Sequence, residues 1–237
     1  MSISIIDSNK SNLRASFRKQ RPGPETDMVE QFIEESPIIV PSGCRLTIFR
    51  EPRLESGFPD IVAVIWHKAT MRKFNPDRAN IKRSDLRILH LLHQSGPTTS
   101  VKLRSIFNCR VDPALERLEA ANMLRHVGSN WVPCALSRTF ATRRIYAIEA
   151  KISNWRGALE QAFLNTWFAS DSYILLPKLP RSRQLLEVAN SLCIGVFSMS
   201  DTMVDNSEIQ PWNLPRSYMS WLFNEWVWLE EISEQRK

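Results

Sequence analysis

Hydrophobic positions along the chain recur with two periods. In Ile61-Val62-Ala63-Val64-Ile65-Trp66, Ile145 to Ile152, Ser172 to Leu176 and Cys193 to Phe197 they run together or alternate, as in strands covered on one or both faces. Met28, Val29, Phe32 and Ile33, and again Trp155, Leu159, Ala162, Phe163 and Trp167, fall on one side of a helix. Arg183 to Ser191 reads as a further helix, and residues 44–54 as an extended stretch before the Ser56-Gly57 turn. Strand, helix, strand, helix, strand with short connections predicts an α/β fold: a mixed central sheet, at least partly parallel, flanked by helices.

Between these halves the pattern changes. Helices are predicted over Ser84 to His93, Ser100 to Phe107 and Asp112 to Ala121, with a break at Gly96-Pro97 and two short extended pieces between Leu124 and Val132. Leu86, Leu89, Leu92, Leu115 and Leu118 supply a small helical core. The order resembles a winged helix-turn-helix of bacterial regulators, which implies Asp112 to Ala121 as recognition helix and Gly128-Ser129-Asn130 as wing tip. Only Arg110 and Arg117 make the third helix basic, so a protein-binding module of the same shape remains an alternative. His90 and His93 lie one turn apart, but no third ligand accompanies them and packing roles are favoured over metal.

Residues 1–24, rich in Ser, Asn, Lys and Arg and ending in Arg21-Pro22-Gly23-Pro24, are expected to form a flexible basic arm. The sheet domain is expected over 25–79 and 134–210, interrupted by the helical module over 80–133. Residues 211–237 should add an amphipathic helix with Tyr218, Trp221, Leu222, Trp226, Leu229 and Ile232 on one side, either packed on a domain or forming a homodimer or partner interface.

Composition narrows the class. With 237 residues, 43% hydrophobic and 24% charged, the chain can bury a full core. A net charge of +6 and a pI near 9.3 favour a polyanionic partner. Cys44, Cys109, Cys134 and Cys193 are too scattered for a disulfide framework or zinc site and are expected as small buried hydrophobes. No apolar run is long enough to span a bilayer, and a cytoplasmic location is expected.

Candidate chemistry lies in three places. Glu149 and Lys151 sit two apart in a strand, so alternation sends both to one face, either as a salt-bridged surface or as working groups. Asp60 follows Pro59 at the start of an apolar strand, and the preceding helix carries Glu30, Glu34 and Glu35. Gln161 lies on the helix after the Glu149 strand.

Pro59-Asp60 and Glu149-Ala150-Lys151 resemble the two halves of the PD-(D/E)XK motif, and Ser56 to Ala63 is similar to the corresponding hairpin of archaeal Holliday-junction resolvases and restriction-type nucleases. The resemblance covers residues 26–78 and 136 to about 200, with the helical module filling the long gap between the motif halves. It implies a restriction-endonuclease-like fold and a metal-dependent deoxyribonuclease. Asp60, Glu149 and the Ala150 backbone carbonyl would hold Mg²⁺, with Mn²⁺ substituting. Lys151 would act on the attacking water, Gln161 would orient water or phosphate, and Glu30, or else Glu34 or Glu35, would complete the site. Lys82, Arg83, Lys102, Arg104, Arg110 and Arg117 would bind duplex or branched DNA. The rival readings are a non-catalytic DNA-binding regulator and a partner-dependent nuclease subunit of a transposase-like or defence complex.

Overall fold

The computed structural model describes residues 3–8, 15–35, 37–107, 110–179, 183–200 and 212–234. Cys109, the expected end of the sheet domain, 201–210, and residue 211 of the segment after it lie outside them. In chain order the elements are β1 (Ile3–Ile6), α1 (Pro24–Glu35), β2 (Cys44–Arg50), β3 (Ile61–His67) and α2 (Lys68–Met71), then a 3-10 turn, Pro76–Asn80. Next come α3 (Arg83–Ser95), β4 (Thr98–Thr99), α4 (Ser100–Ile106), α5 (Val111–Ala120), β5 (Leu124–Val127), β6 (Asn130–Pro133) and α6 (Leu136–Thr139). The chain closes with β7 (Thr142–Ala150), α7 (Trp155–Asn165), β8 (Asp171–Leu176), α8 (Gln184–Ser191), β9 (Ile194–Ser198) and α9 (Tyr218–Glu234). No helix among the described residues is long and apolar enough to cross a membrane.

Two compact units result: residues 1–65 with 144–214, and residues 66–143 with 215–237. The first is α/β, built on the mixed six-stranded sheet β1-β2-β3-β7-β8-β9, in which β1 and β2 are parallel and β7, β8 and β9 are parallel. Alternation along β8 divides its faces. Leu175 packs with Ile148, Ala150, Phe197 and the α1 residues Met28, Val29, Phe32 and Ile33, whereas Ile174 and Leu176 pack with Ala158, Leu159 and Ala162 of α7 and Leu185 of α8. On the α1 face Tyr173 stacks on Phe197 with ring centroids 4.5 Å apart, and a Cβ at Gly195 would come within 2.0 Å of the Tyr173 ring. Only glycine lets that ring lie against its neighbouring strand.

The expectation of a flexible arm over 1–24 is corrected at both ends of the segment. Ile3, Ile5 and Ile6 pair with Leu46, Ile48 and Phe49 as an edge strand, and Ile6 is fully buried, because an Ile-rich run of four has strand chemistry whatever the polarity of its surroundings. Residues 15–23 lie along the β2–β3 connection: Arg18 N donates to Glu51 O at 3.0 Å and Arg53 N donates to Ser16 O at 2.8 Å.

In the second unit α3, β4, α4, α5, β5 and β6 follow the expected helical order, and a three-stranded antiparallel sheet, β4-β6-β5, closes it. Gly128, with φ of 60°, makes the tight β5–β6 turn. Its boundaries are wider than 80–133. Asn75 Nδ2 donates to Ala120 O at 2.7 Å, and Arg78 donates to Thr139 O at 2.9 Å and to Glu225 Oε2 at 3.0 Å, tying both flanks and α9 into one core.

Helix α9 also departs from the one-sided pattern: Met219 through Trp228 are buried without interruption. A helix covered all round is a core element. It packs on α3, where the His93 and Trp221 rings lie 5.0 Å apart. Cys44 and Cys134 are half-buried free thiols and Cys193 is an exposed one, against the expected buried cysteines; Cys193 follows the α8 cap residue Leu192 in a left-handed conformation, φ 53°.

His93 is held down to about pKa 4, first by burial and then by the neighbouring His90. A depressed His is neutral in the fold and protonated when unfolded, so its contribution is intact above pH 6.5 and is lost as pH falls from there towards 4. His93→Phe should flatten that limb of a urea-unfolding pH series; an unchanged acid limb would assign the loss elsewhere.

Candidate active site

Three segments build the site within the α/β unit. The β2–β3 connection brings in Asp60, the end of β7 brings Glu149, Ala150 and Lys151, and the start of α1 brings Glu25. Asp60 is set by its loop: Leu54 N donates to Gly57 O at 2.8 Å, and Glu51 N donates to Asp60 O at 3.2 Å. Its Oδ2 accepts from Ala150 N at 2.7 Å, across 90 positions of sequence.

Lys151 lies one residue beyond β7, so strand alternation no longer directs its side chain. Its Nζ donates to Ala150 O at 2.9 Å and stands 3.8 Å from Asp60 and 3.7 Å from Glu25. Glu149, inside the strand, goes to the α7 face, where its Oε1 accepts from Asn165 Nδ2 at 2.7 Å. The two charges therefore do not share a face as expected, yet Lys151 pulls the Asp60 carboxyl down and the Asp60 charge pushes Glu149 up.

Electrostatics bind the group together. Burial, then the Asp60 charge, pushes the Glu149 carboxyl up to about 8, opposed by the Asn165 hydrogen bond, Lys151 and Arg18. Burial likewise raises Asp60, against the pull of Lys151 and the Ala150 N–H. Burial thus disfavours charge on both carboxyls, and the Asp60 charge disfavours it further on Glu149, a cost that a bound cation would offset.

Glu30 is placed differently from Glu25. It is exposed on α1 with its carboxylate 3.4 Å from Arg50, while Glu25 at the start of the same helix reaches Lys151 and accepts from Ile152 N at 3.4 Å. Glu34 and Glu35 are exposed at the far end of α1. Gln161 is exposed on α7; Asn165, one turn on and 2% exposed, is the amide that meets Glu149. The i, i+4 spacing puts both on related helix positions, so the sequence held the signal for the turn but not for the residue. Arg18 also joins the group, ion-paired with Glu51 and 4.0 Å from Asp60. A cleft of about 590 Å³ opens here, lined by Arg18, Glu25, Glu51 and Asp60 among others.

Of the candidate DNA-binding residues, Lys102 and Arg110 are exposed on α4 and at the start of α5, and Lys82 is exposed where α3 begins. Arg83 lies over the Tyr218 ring, 6.0 Å from its centroid. Arg104 makes a two-pronged pair with Asp112 at 3.0 and 2.7 Å. Arg117 is committed to the fully buried Asp85 at 2.7 and 2.8 Å, clamping α5 to α3.

No group of three or more His, Cys, Asp or Glu side chains able to hold a metal is found among the described residues. The oxygens of Asp60, Glu149 and Ala150 nevertheless suit a hard cation such as Mg²⁺, which takes one or two carboxylates and keeps several waters. No family model, curated protein or solved structure matches the chain.

Proposed function

We propose that the chain is a Mg²⁺-dependent DNA endonuclease of the restriction-endonuclease-like type, with a winged helix as its DNA-binding module. The observation that carries this reading is the hydrogen bond from Ala150 N to Asp60 Oδ2, which joins the two motif halves at one point in the sheet with Lys151 beside them. Asp60, Glu149 and the Ala150 carbonyl would hold the cation, which when bound supplies charge neutralisation and a more acidic water. Lys151 as the ammonium would orient the attacking water and stabilise the negative charge that grows on the phosphate, and only as the neutral amine would it take the water's proton. Asn165 fixes Glu149 so that one carboxylate oxygen is tied to α7. Lys82, Arg83, Lys102, Arg104 and Arg110 would give a salt-dependent grip on the DNA backbone, and the Asp85 pair leaves Arg117 a supporting role.

The test is nicking of supercoiled plasmid and branched DNA by purified full-length protein with Mg²⁺ or Mn²⁺. Wild type should cut, chelator should stop it, and Asp60→Ala should be inactive. Equal cutting by wild type and Asp60→Ala would identify a contaminant and end the enzyme reading.

A second reading, a subunit silent without its partner, is favoured by one contact. Lys151 Nζ occupies the Ala150 carbonyl that the cation would need. Cutting that appears only after a second protein is added would select it.

A further inference from the structure

The cleft beside Asp60 carries four cations, Arg18, Lys19, Arg21 and Arg50, three of them from the segment expected to be a loose arm. That segment is placed by the backbone. Phe17 pairs with Pro52, Arg18 N donates to Glu51 O, and Arg53 N donates to Ser16 O, so Arg18 is held in register with the loop that sets Asp60.

The Arg18 side chain is anchored without being used up. Its Nε pairs with Glu51, its guanidinium lies 5.3 Å from the Phe58 ring centroid, and its Nη2 stops 4.0 Å from Asp60 Oδ1, too far for a hydrogen bond. The side chain is 53% exposed and has five N–H donors, so the edge facing the cleft can still bind an anion. Glu51 holds its position in a left-handed conformation, φ 47°, uncommon for a residue with a side chain. Strained residues of this kind cluster where a side chain must be aimed.

Building on the nuclease reading, we propose that this cleft is a phosphodiester-binding site. Arg18 contacts a non-bridging oxygen of the phosphate presented to Asp60 and Lys151, and Lys19 and Arg21 take neighbouring phosphates of the same strand. Arg18 is then a catalytic residue supplied by the N-terminal segment, and Glu51 is its positioning residue. The competing role for Arg18, plain neutralisation of the buried acids, predicts no contact with substrate.

Two measurements on the full chain separate these roles. In a cleavage-dead Lys151→Ala background, binding of a fluorescein-labelled duplex is followed against KCl; adding Arg18→Gln should lower the slope of log K against log salt by about one, the signature of one lost phosphate contact. In the otherwise wild-type chain Arg18→Gln should slow single-turnover cutting roughly 10²-fold. Arg18→Lys should keep the salt slope but recover only part of the rate, because an ammonium lacks the planar fork, and it preserves the test if Arg18→Gln misfolds. Glu51→Gln should slow cutting when Arg18 is present and change nothing further beside Arg18→Gln, the non-additivity of a pair acting as one. An unchanged salt slope, or Arg18→Gln cutting within about threefold of wild type, overturns the inference while leaving the nuclease intact. A wild type that neither binds nor cuts DNA overturns both.

Discussion

Lys151→Met should reduce cutting by at least about 10²-fold, the low end for loss of a positioned acid–base group. Methionine keeps most of the stem volume and removes only the ammonium, which stands between the Ala150 carbonyl, Asp60 and Glu25. The charge also pulls down the pKa of both Asp60 and Glu149, so its loss leaves these carboxyls more protonated at neutral pH. Any residual activity should therefore have its acid limb displaced to higher pH. Lys151→Arg keeps the charge but not the compact point donor, and should stay slow with the acid limb near its original position. A pH series of single-turnover rates for the three proteins checks both parts, and a wild-type rate for Lys151→Met would remove Lys151 from the chemistry.

Arg78→Ala should destabilise the helical unit by about 3–5 kcal/mol, the usual cost of stranding one member of a buried ion pair. Arg78 and Glu225 are 3% and 4% exposed, and the guanidinium also lies 3.7 Å from the Phe74 ring centroid. Removing it leaves a carboxylate whose remaining neighbour is Asn224, donating at 3.0 Å. Asn224 is already engaged through its oxygen with Ala141 N and Thr142 N at 2.8 and 3.1 Å and cannot take over. Arg78→Met combined with Glu225→Leu should recover much of the loss, since apolar replacement of both partners removes the desolvation cost as well. Urea unfolding followed by Trp fluorescence reads this unit, where Trp221, Trp226 and Trp228 are buried. A cost below about 1 kcal/mol for Arg78→Ala would place the pair among ordinary surface bridges.

Where one face of an element meets the core, its periodicity made it legible. Met28, Val29, Phe32 and Ile33 announced α1, and Leu86, Leu89 and Leu92 announced α3; all seven are buried. Helix α9 was legible as a helix but not as a buried one, because Asn224 and Glu225 read as a polar side until their partners Thr142 and Arg78 were known. Strand β1 was hidden by composition, its four residues lost in a polar stretch. At the site, Asp60, Glu149 and Lys151 could be read from local context, since each marks the end or interior of an apolar strand. Glu25, Asn165 and Arg18 could not, because their roles depend on where a helix start, a helix end and a non-repetitive segment fall in space.

The buried C-terminal helix has a consequence for how the protein is made. Arg78 leaves the ribosome 147 residues before the Glu225 that neutralises it, and the whole of β7, β8 and β9 is synthesised in between. Domains tend to fold in order of synthesis, but this unit lacks part of its core until Tyr218–Glu234 has emerged. Helices α3, α4 and α5 are therefore translated well before the scaffold that completes their unit. A nascent chain stalled before α9 should accordingly leave α3–α5 protease-sensitive, and one that includes α9 should protect them.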